Sequence, residues 1–129
     1  WELVVVEKVA EAKSKGEDAF RKNDYFAATF WYTKALFKDP LNATLLSNRS
    51  LCYARQKNGN RALEDAMECV MLKPDWPKAH YRAGVAWSIL EKFDAAALEF
   101  AAALQLDPGN QDLRNAFQEA RMKSTTATR

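Results

Sequence analysis

Four polar side chains are of types that suit anion binding, and a fifth, which is acidic, stands among them. Lys13 and Glu17 are four residues apart, and so are Lys78 and Arg82, so each pair shares a face if its segment is helical. Lysine supplies a mobile ammonium, arginine a fork of donors that can hold a carboxylate at two points, and Asn48 an uncharged amide donor. Glu17 is the exception, because an ionised carboxylate only accepts hydrogen bonds. Since charges on helices are usually plain solvated surface, the assignment depends on the elements that carry these residues.

Other kinds of chemistry find little support in the sequence. His80 is the only histidine, no Ser/His/Asp or Cys/His arrangement can be assembled convincingly around it, and we expect it to pack or to form hydrogen bonds. The four glycines are scattered and form no phosphate-binding loop. Cys52 and Cys69 lack metal-ligand spacing and are predicted to be buried thiols in a reducing compartment. We therefore expect no enzyme activity, no cofactor and no metal.

The length and the net charge of the chain limit which other functions are compatible with it. The chain has 129 residues, enough for one domain with a modest core, and a formal net charge of +2. That charge argues against nucleic-acid binding by the whole surface. The apolar run at 3–6 is too short to cross a membrane and is flanked by charges. We expect a cytoplasmic, monomeric module, and because the sequence starts at Trp1 rather than Met, one cut from a longer chain.

A repeat with a period of 34 residues organises the chain. Three prolines, Pro40, Pro74 and Pro108, mark it. Small residues recur at two positions of the same period: Gly16, Ser50 and Gly84, and then Ala28, Ala62 and Ala96. We expect these two sets to face each other where paired helices approach closely. Four large residues should fill the space between adjacent pairs, namely Tyr32, Tyr53, Trp87 and Phe100.

Each period contains two helical segments. Apolar residues recur at three- and four-residue spacing on both sides of polar breakers at 23–24, 58–60 and 91–94. Asn42 and Asn110 stand where a helix N-cap is expected. Pro77 suits the first turn of a helix, because the N–H that it lacks would have no partner there. The first helices are predicted at about 9–22, 43–57 and 77–90.

The chain resembles tetratricopeptide (TPR) repeats, and the period, the Gly/Ala pattern and the prolines carry this resemblance from about Val9 to Pro108. It implies an all-α fold: three helix-turn-helix repeats and a C-terminal capping helix, wound into a right-handed superhelical solenoid with a concave groove. The predicted boundaries are an N-terminal extension at 1–8, repeats at 9–42, 43–76 and 77–110, a capping helix at 111–123 and a flexible tail at 124–129.

In such a solenoid the first helix of each repeat lines the concave side, where the anion-binding candidates fall. Lys13, Asn48, Lys78 and Arg82 match positions of the "carboxylate clamp" of TPR domains that grip the acidic C-terminal tail of Hsp90 or Hsp70 chaperones. The resemblance thus implies an adaptor or co-chaperone-like module. Glu17 departs from the pattern, because the clamp has asparagine there.

Glu17 decides between two interpretations of the groove. An anion about 5 Å from a bound carboxylate would repel it by roughly 1–3 kcal/mol, or about tenfold to a hundredfold in affinity. Pairing with Lys13 would reduce this repulsion but would also occupy Lys13. The alternative is therefore a diverged TPR scaffold that binds another protein, folded proteins included, in the same groove. Self-association through the terminal segments is a third possibility.

Aromatic residues add two further expectations. In the helix after the first breaker, Phe26 and Tyr32 are predicted to pack in the repeat interface, whereas Phe30 or Trp31 should stay partly exposed. An exposed aromatic there would contact either the segment 1–6 or a partner. The groove itself is expected to have apolar walls that contact ligand side chains or pack half-buried: Phe20, Leu51 and Tyr81.

Overall fold

A computed structural model describes residues 1–127, and they form seven α-helices without strands. The helices in chain order are α1 (Glu2–Arg21), α2 (Tyr25–Lys38), α3 (Ala43–Arg55), α4 (Gly59–Leu72), α5 (Pro77–Ile89), α6 (Phe93–Leu106) and α7 (Gln111–Ala127). None of these helices combines the length and the apolar character that crossing a membrane requires. The all-α prediction is confirmed.

The helices pack in chain order, as a stack of helical hairpins does. Each helix contacts the next one along the chain, and α3 also contacts α5. Helices α1, α3 and α5 are therefore the first members of three hairpins, and α7 covers the last hairpin through Leu113 and Ala120, which are both buried. One surface is shared by α3 and α5, and it carries most of the candidate site.

Side-chain caps and left-handed residues set the ends of the helices. Asn42 accepts a hydrogen bond from the Leu45 amide at 3.1 Å, and Asn110 accepts one from the Leu113 amide at 3.1 Å, so both predicted N-caps are confirmed. Pro77 is the first residue of α5, as expected. Two residues after the end of the first helix of every hairpin stands a residue with φ near +60°: Asn23, Lys57 and Glu91, which are one period apart.

Both chain ends differ from the simplest expectation. Residues 2–8, whose structure the sequence left open, are the first two turns of α1, and Trp1, Leu3, Val4 and Val6 are exposed on them. The predicted tail at 124–129 is helical as far as Ala127, and Ser124 at its start donates a hydrogen bond to the Asp94 carboxylate of α6. Residues 128–129 lie outside the described part.

In the first and third hairpins an aromatic ring of the second helix packs against the glycine of the first helix. A Cβ added to Gly16 would lie 2.8 Å from the Tyr32 ring, and one added to Gly84 would lie 2.4 Å from the Phe100 ring. Tyr32 and Phe100 thus pack against the glycine of their own hairpin, and Tyr32 also lies near Cys52 of the next hairpin. In the middle hairpin, Ser50 does meet Ala62, donating to its carbonyl oxygen at 2.8 Å.

Phe26 is misplaced by the sequence-based prediction. The buried face of α2 is formed by Ala28, Tyr32 and Ala35, and Phe26 precedes Ala28 by two residues, about 200° around the helix. Its side chain is 78% exposed. Phe30 is exposed, as predicted, and its ring makes an edge contact with Trp31 at 5.1 Å.

His80 has the hydrogen-bonding role expected of it. Its ring nitrogens lie 2.9 Å from a Glu99 carboxylate oxygen and 2.8 Å from the Pro74 carbonyl oxygen. The imidazole thus ties α5 to α6 and to the turn before α5. Both cysteines are buried and unpaired, as predicted.

Candidate functional site

The three first helices carry the four predicted donors. Lys13 lies on α1, Asn48 on α3, and Lys78 and Arg82 on α5. Asn48 and Arg82 are separated by 34 residues, one period, so they occupy the same position of successive first helices. This equivalence places them on one face of the stack, and Lys78 joins them because it is one helical turn before Arg82.

Arg82 is the best-defined member of the site. Its Nε donates to the hydroxyl of Ser47, a buried residue of α3, at 3.1 Å. Its guanidinium lies close enough to the Cys52 and Cys69 thiols to act on their pKa values. Burial lowers the pKa of the Arg82 guanidinium, because the charged form is partly removed from water. The two terminal nitrogens of the fork have no hydrogen-bond partner among residues 1–127.

A second arginine on the same stack shows what a satisfied guanidinium looks like. Arg49 donates from Nε and Nη2 to the two carboxylate oxygens of Asp65, each at 2.7 Å, and from Nη1 to Thr33 at 3.2 Å. Burial raises the pKa of the Asp65 carboxyl, and the bonds from Arg49 oppose that rise. Arg82 has no such carboxylate within the described chain. It is a half-buried cation that lacks an anion.

Lys13 and Glu17 do not pair with each other. Both side chains are half-buried on α1, yet no salt bridge joins them in the part of the chain that the structure describes. The Glu17 carboxylate instead acts on Tyr32, whose pKa is raised to about 12, mainly by burial and to a lesser extent by the nearby Cys52 and Glu17. Lys13 thus keeps its ammonium available, and Glu17 keeps an unneutralised carboxylate one turn away.

Lys78 and Asn48 complete the set of free donors. Lys78 is exposed, with its Nζ 5.9 Å from the centroid of the Trp76 ring and no ion pair within residues 1–127. The Asn48 amide is half-buried, and no hydrogen bond engages it over the same residues. In the described chain, no direct hydrogen bond or ion pair links the four donors to one another. A ligand with several acceptors could therefore bridge them.

The three predicted wall residues are half-buried, and each has a different surrounding. Tyr81 lines two cavities, one of about 400 Å³ that also includes Lys78 and one of about 580 Å³ that reaches α7. Phe20 packs edge-on against Tyr25 at 5.5 Å, which makes it part of the first hairpin. Leu51 is one turn beyond Asn48 on α3. Tyr81 is thus the wall residue best placed to contact something bound near Lys78.

Ser47 is a residue of the site that the sequence did not reveal. Its hydroxyl positions the Arg82 side chain, although serine in a helix usually indicates only a tolerated small residue. One signal was present: Ser47 follows Lys13 by one period, so both stand at the same repeat position on the site face.

Comparisons with known proteins agree on one kind of module. The family model "Serine/threonine-protein kinase BSK1-like, TPR repeats" matches residues 2–83. The heat shock protein sti1 homolog of Schizosaccharomyces pombe is 41% identical over 117 residues, which cover 91% of this chain and 20% of that protein. Hsp70-Hsp90 organizing protein 1 of Glycine max is 41% identical over 119 residues, covering 92% and 21%. The chain therefore spans about a fifth of the length of these two relatives.

A solved structure also shares the fold and much of the length. The first TPR of Spaghetti (RPAP3), bound to the HSP90 peptide SRMEEVD, superposes with a TM-score of 0.87 at 30% identity, and the match covers 92% of this chain and 94% of that one. That peptide ends in the acidic stretch Glu-Glu-Val-Asp.

Proposed function

Because the chain belongs to the tetratricopeptide-repeat (TPR) family, we propose that it is a protein-binding module that holds the acidic C-terminal peptide of an Hsp90 or Hsp70 chaperone. The peptide would lie along the face shared by α1, α3 and α5. Its carboxylates would accept hydrogen bonds from Lys13, Asn48, Lys78 and Arg82. The module would therefore act as an adaptor, as a co-chaperone does.

One observation carries the proposal: Arg82 is half-buried without a counter-charge. A guanidinium that loses water without gaining an anion raises the free energy of the free protein. A bound carboxylate would satisfy the free end of its fork, as Asp65 satisfies Arg49. The Ser47 hydrogen bond holds the side chain in place before the ligand arrives, which reduces the entropy lost on binding.

The neighbouring donors fit the same ligand. Lys13 and Lys78 contribute charge without an existing ion pair, and Asn48 contributes a neutral donor between them. A peptide that ends in a carboxylate and carries acidic side chains offers several acceptors to this row. Groups that converge on a charged ligand in a partly desolvated groove interact more strongly than they would in open water.

A second candidate function is favoured by Glu17. Its carboxylate is half-buried on the site face and is not paired with Lys13. It would repel an acidic tail and attract a basic or amide-bearing group, which supports a diverged TPR scaffold for a different protein partner. In that case Glu17 would be a specificity determinant, and chaperone tails would bind weakly.

Neither candidate requires catalysis. The matched family model describes TPR repeats, and we propose a binding module rather than an enzyme. A cytoplasmic location suits the two buried thiols, which remain unpaired in a reducing environment.

Isothermal titration with a peptide ending in Glu-Glu-Val-Asp tests the proposal. We expect binding in the micromolar range, weakened about tenfold or more in a Lys78→Ala/Arg82→Ala variant. Arg61→Ala is the matched control, because Arg61 is exposed on α4, away from the site face. The proposal is contradicted if the wild type does not bind the peptide, or if the wild type, the double variant and Arg61→Ala bind it with equal affinity. Affinity purification with wild type and the double variant then separates the two candidates by the partner that is lost.

A further inference from the structure

A second groove lies on the first hairpin, away from the four donors. It has a volume of about 640 Å³ and runs between α1 and α2. Its aromatic lining consists of Phe30, Trp31 and Phe37, with Phe30 54% and Phe37 81% exposed. We call this surface the α1/α2 groove. Three aromatic side chains on one exposed surface are typical of binding sites rather than of ordinary solvated helices.

Lysines surround these aromatics. Lys8, Lys15, Lys34 and Lys38 line the groove, and Glu11 is its only acidic residue. Glu11 is already paired with Lys15 at 3.1 Å. Four of the chain's basic residues are therefore concentrated on one groove, although the formal net charge of the chain is only +2. The groove is complementary to an acidic partner.

The lysines lie directly over the rings. The Lys15 Nζ is 4.5 Å from the centroid of Trp31, and the Lys34 Nζ is 5.3 Å from that of Phe30. The Lys38 Nζ is 5.4 Å from the centroid of Phe37. Apolar and basic groups thus alternate across the surface, so one ligand could bury an apolar side chain and pair its acidic neighbours with lysines.

Equivalent positions in the later hairpins indicate what kind of element fits the groove. The residues one and two periods after Glu11 are Leu45 and Ala79, and both are fully buried. In the second hairpin, the residue one period after Lys15 is Arg49, which bonds to Thr33 of α2. The α1 side of the groove is therefore covered in the later hairpins by a helix of the preceding one, whereas the positions one period after Phe30 and Phe37, Glu64 and Met71, stay exposed. In the first hairpin, nothing among residues 1–127 covers that side.

A terminal repeat needs only a polar outer face to stay in water. The lysines would provide that face, but Phe30 and Phe37 would not. The exposed Val4 extends the apolar surface, because it lies one turn before Lys8 on the same side of α1. The groove therefore combines the shape of a helix-packing site with an apolar centre and a basic rim.

We propose that the α1/α2 groove docks an amphipathic helix of a partner protein, whose apolar stripe contacts the aromatics and whose flanking acidic residues pair with the lysines. Helix-in-groove recognition of this kind uses apolar anchors at i, i+3, i+4 and i+7. A helix of about fifteen residues would span the roughly 20 Å length of α2. This docking is independent of peptide binding by Arg82 and its neighbours.

The probe is a synthetic helix with leucines at i, i+3, i+4 and i+7 and glutamates on both flanks. Its C-terminus is amidated, so that it lacks the terminal carboxylate that the other site would hold. Titrated into the ¹⁵N-labelled protein, it should shift the amide resonances of Lys15, Trp31 and Lys34. Affinity should fall about tenfold in Lys34→Glu and in Phe37→Ser, both exposed and not needed for the core. Arg61→Glu, with the same change of charge on α4, should bind normally.

Three results would overturn the docking proposal. The first is equal binding of a peptide in which every glutamate is lysine. The second is a set of shifts confined to the residues around Lys78 and Arg82. The third is that the peptide has no effect on the groove resonances, which instead shift with protein concentration alone or on addition of phosphatidylserine vesicles. These results would indicate a second copy of the chain or a membrane surface instead of a partner helix.

Discussion

The Arg82 Nε donates a hydrogen bond to the hydroxyl of Ser47 at 3.1 Å, and this bond fixes the α5 side chain against α3. The remaining donors of the guanidinium have no partner among residues 1–127. The arrangement leaves a positioned, partly desolvated cation against Ser47 of the neighbouring helix, the residue before Asn48. A carboxylate that binds there meets donors already in place.

Replacing Ser47 by alanine tests that positioning. We expect Ser47→Ala to weaken binding of a Glu-Glu-Val-Asp peptide about threefold to tenfold, because one hydrogen bond contributes about 0.5–1.5 kcal/mol. Titration calorimetry measures the change. If Ser47 acts through Arg82, the Ser47→Ala/Arg82→Ala variant should bind no more weakly than Arg82→Ala alone. A further loss in the double variant would show that Ser47 contacts the peptide or supports the fold by itself.

Glu17→Asn should strengthen the same peptide's binding. The substitution removes an unneutralised carboxylate from the site face and supplies an amide donor, and the gain should be about tenfold to a hundredfold. Fluorescence anisotropy at two salt concentrations measures it, since screening should reduce the difference between the two proteins. Glu64→Gln, an exchange on α4, serves as the control. Unchanged affinity would show that Glu17 does not face the ligand.

Gly84→Ala should destabilise the fold despite alanine's higher helix propensity. The new Cβ would lie 2.4, 2.6 and 2.8 Å from three atoms of the Phe100 ring. Overpacking of this kind costs about 1–3 kcal/mol, whereas propensity returns only about 1 kcal/mol. Urea unfolding should give a lower midpoint for Gly84→Ala and little change for Gly109→Ala, where the added Cβ meets nothing within 4 Å. Equal midpoints would contradict the described packing of α5 on α6.

The buried thiols should make stability depend on alkaline pH. Burial raises the pKa of Cys52 and of Cys69 from 9.0 to about 11. The folded state therefore holds these protons more tightly than the unfolded state does. The free energy of unfolding should be highest below about pH 9, where both states keep the protons, and it should fall as the pH rises from about 9 through 11, because the unfolded state loses them first. Urea midpoints at pH 8 and pH 10.5 should differ more for wild type than for Cys52→Ala/Cys69→Ala. An identical pH dependence would mean that the thiols are not desolvated.

Much of the fold could be predicted from the sequence because it is periodic. The period of 34 residues fixes which segments are equivalent, and breakers and caps such as Asn42 then set the helix ends. The side of each helix that is buried is harder to predict from the sequence. Phe26 and Tyr32 lie on one helix and are both aromatic, so only the packed structure shows that the first is exposed and the second buried.

In the candidate site, too, the residues could be predicted from the sequence and their contacts could not. Lys13, Asn48, Lys78 and Arg82 could be proposed from their places on the first helices of the repeats and from the resemblance to clamp-type TPR domains. The contacts that distinguish them could not, because they join residues far apart in the chain: Arg82 meets Ser47, and Arg49 meets Asp65. Both arginines look alike in the sequence, and only the side-chain geometry separates a satisfied structural pair from an arginine that lacks an anion.

The most direct test of the central claim is a double-mutant cycle between Arg82 and the ligand's charge. Binding of a Glu-Glu-Val-Asp peptide with a free C-terminus, and of the same peptide with a C-terminal amide, is measured by calorimetry for wild type and for Arg82→Ala. If the site binds the terminal carboxylate through Arg82 and its neighbours, amidation should weaken wild type by about tenfold or more and Arg82→Ala by clearly less. Additive losses, or binding that ignores amidation in both proteins, would contradict the account.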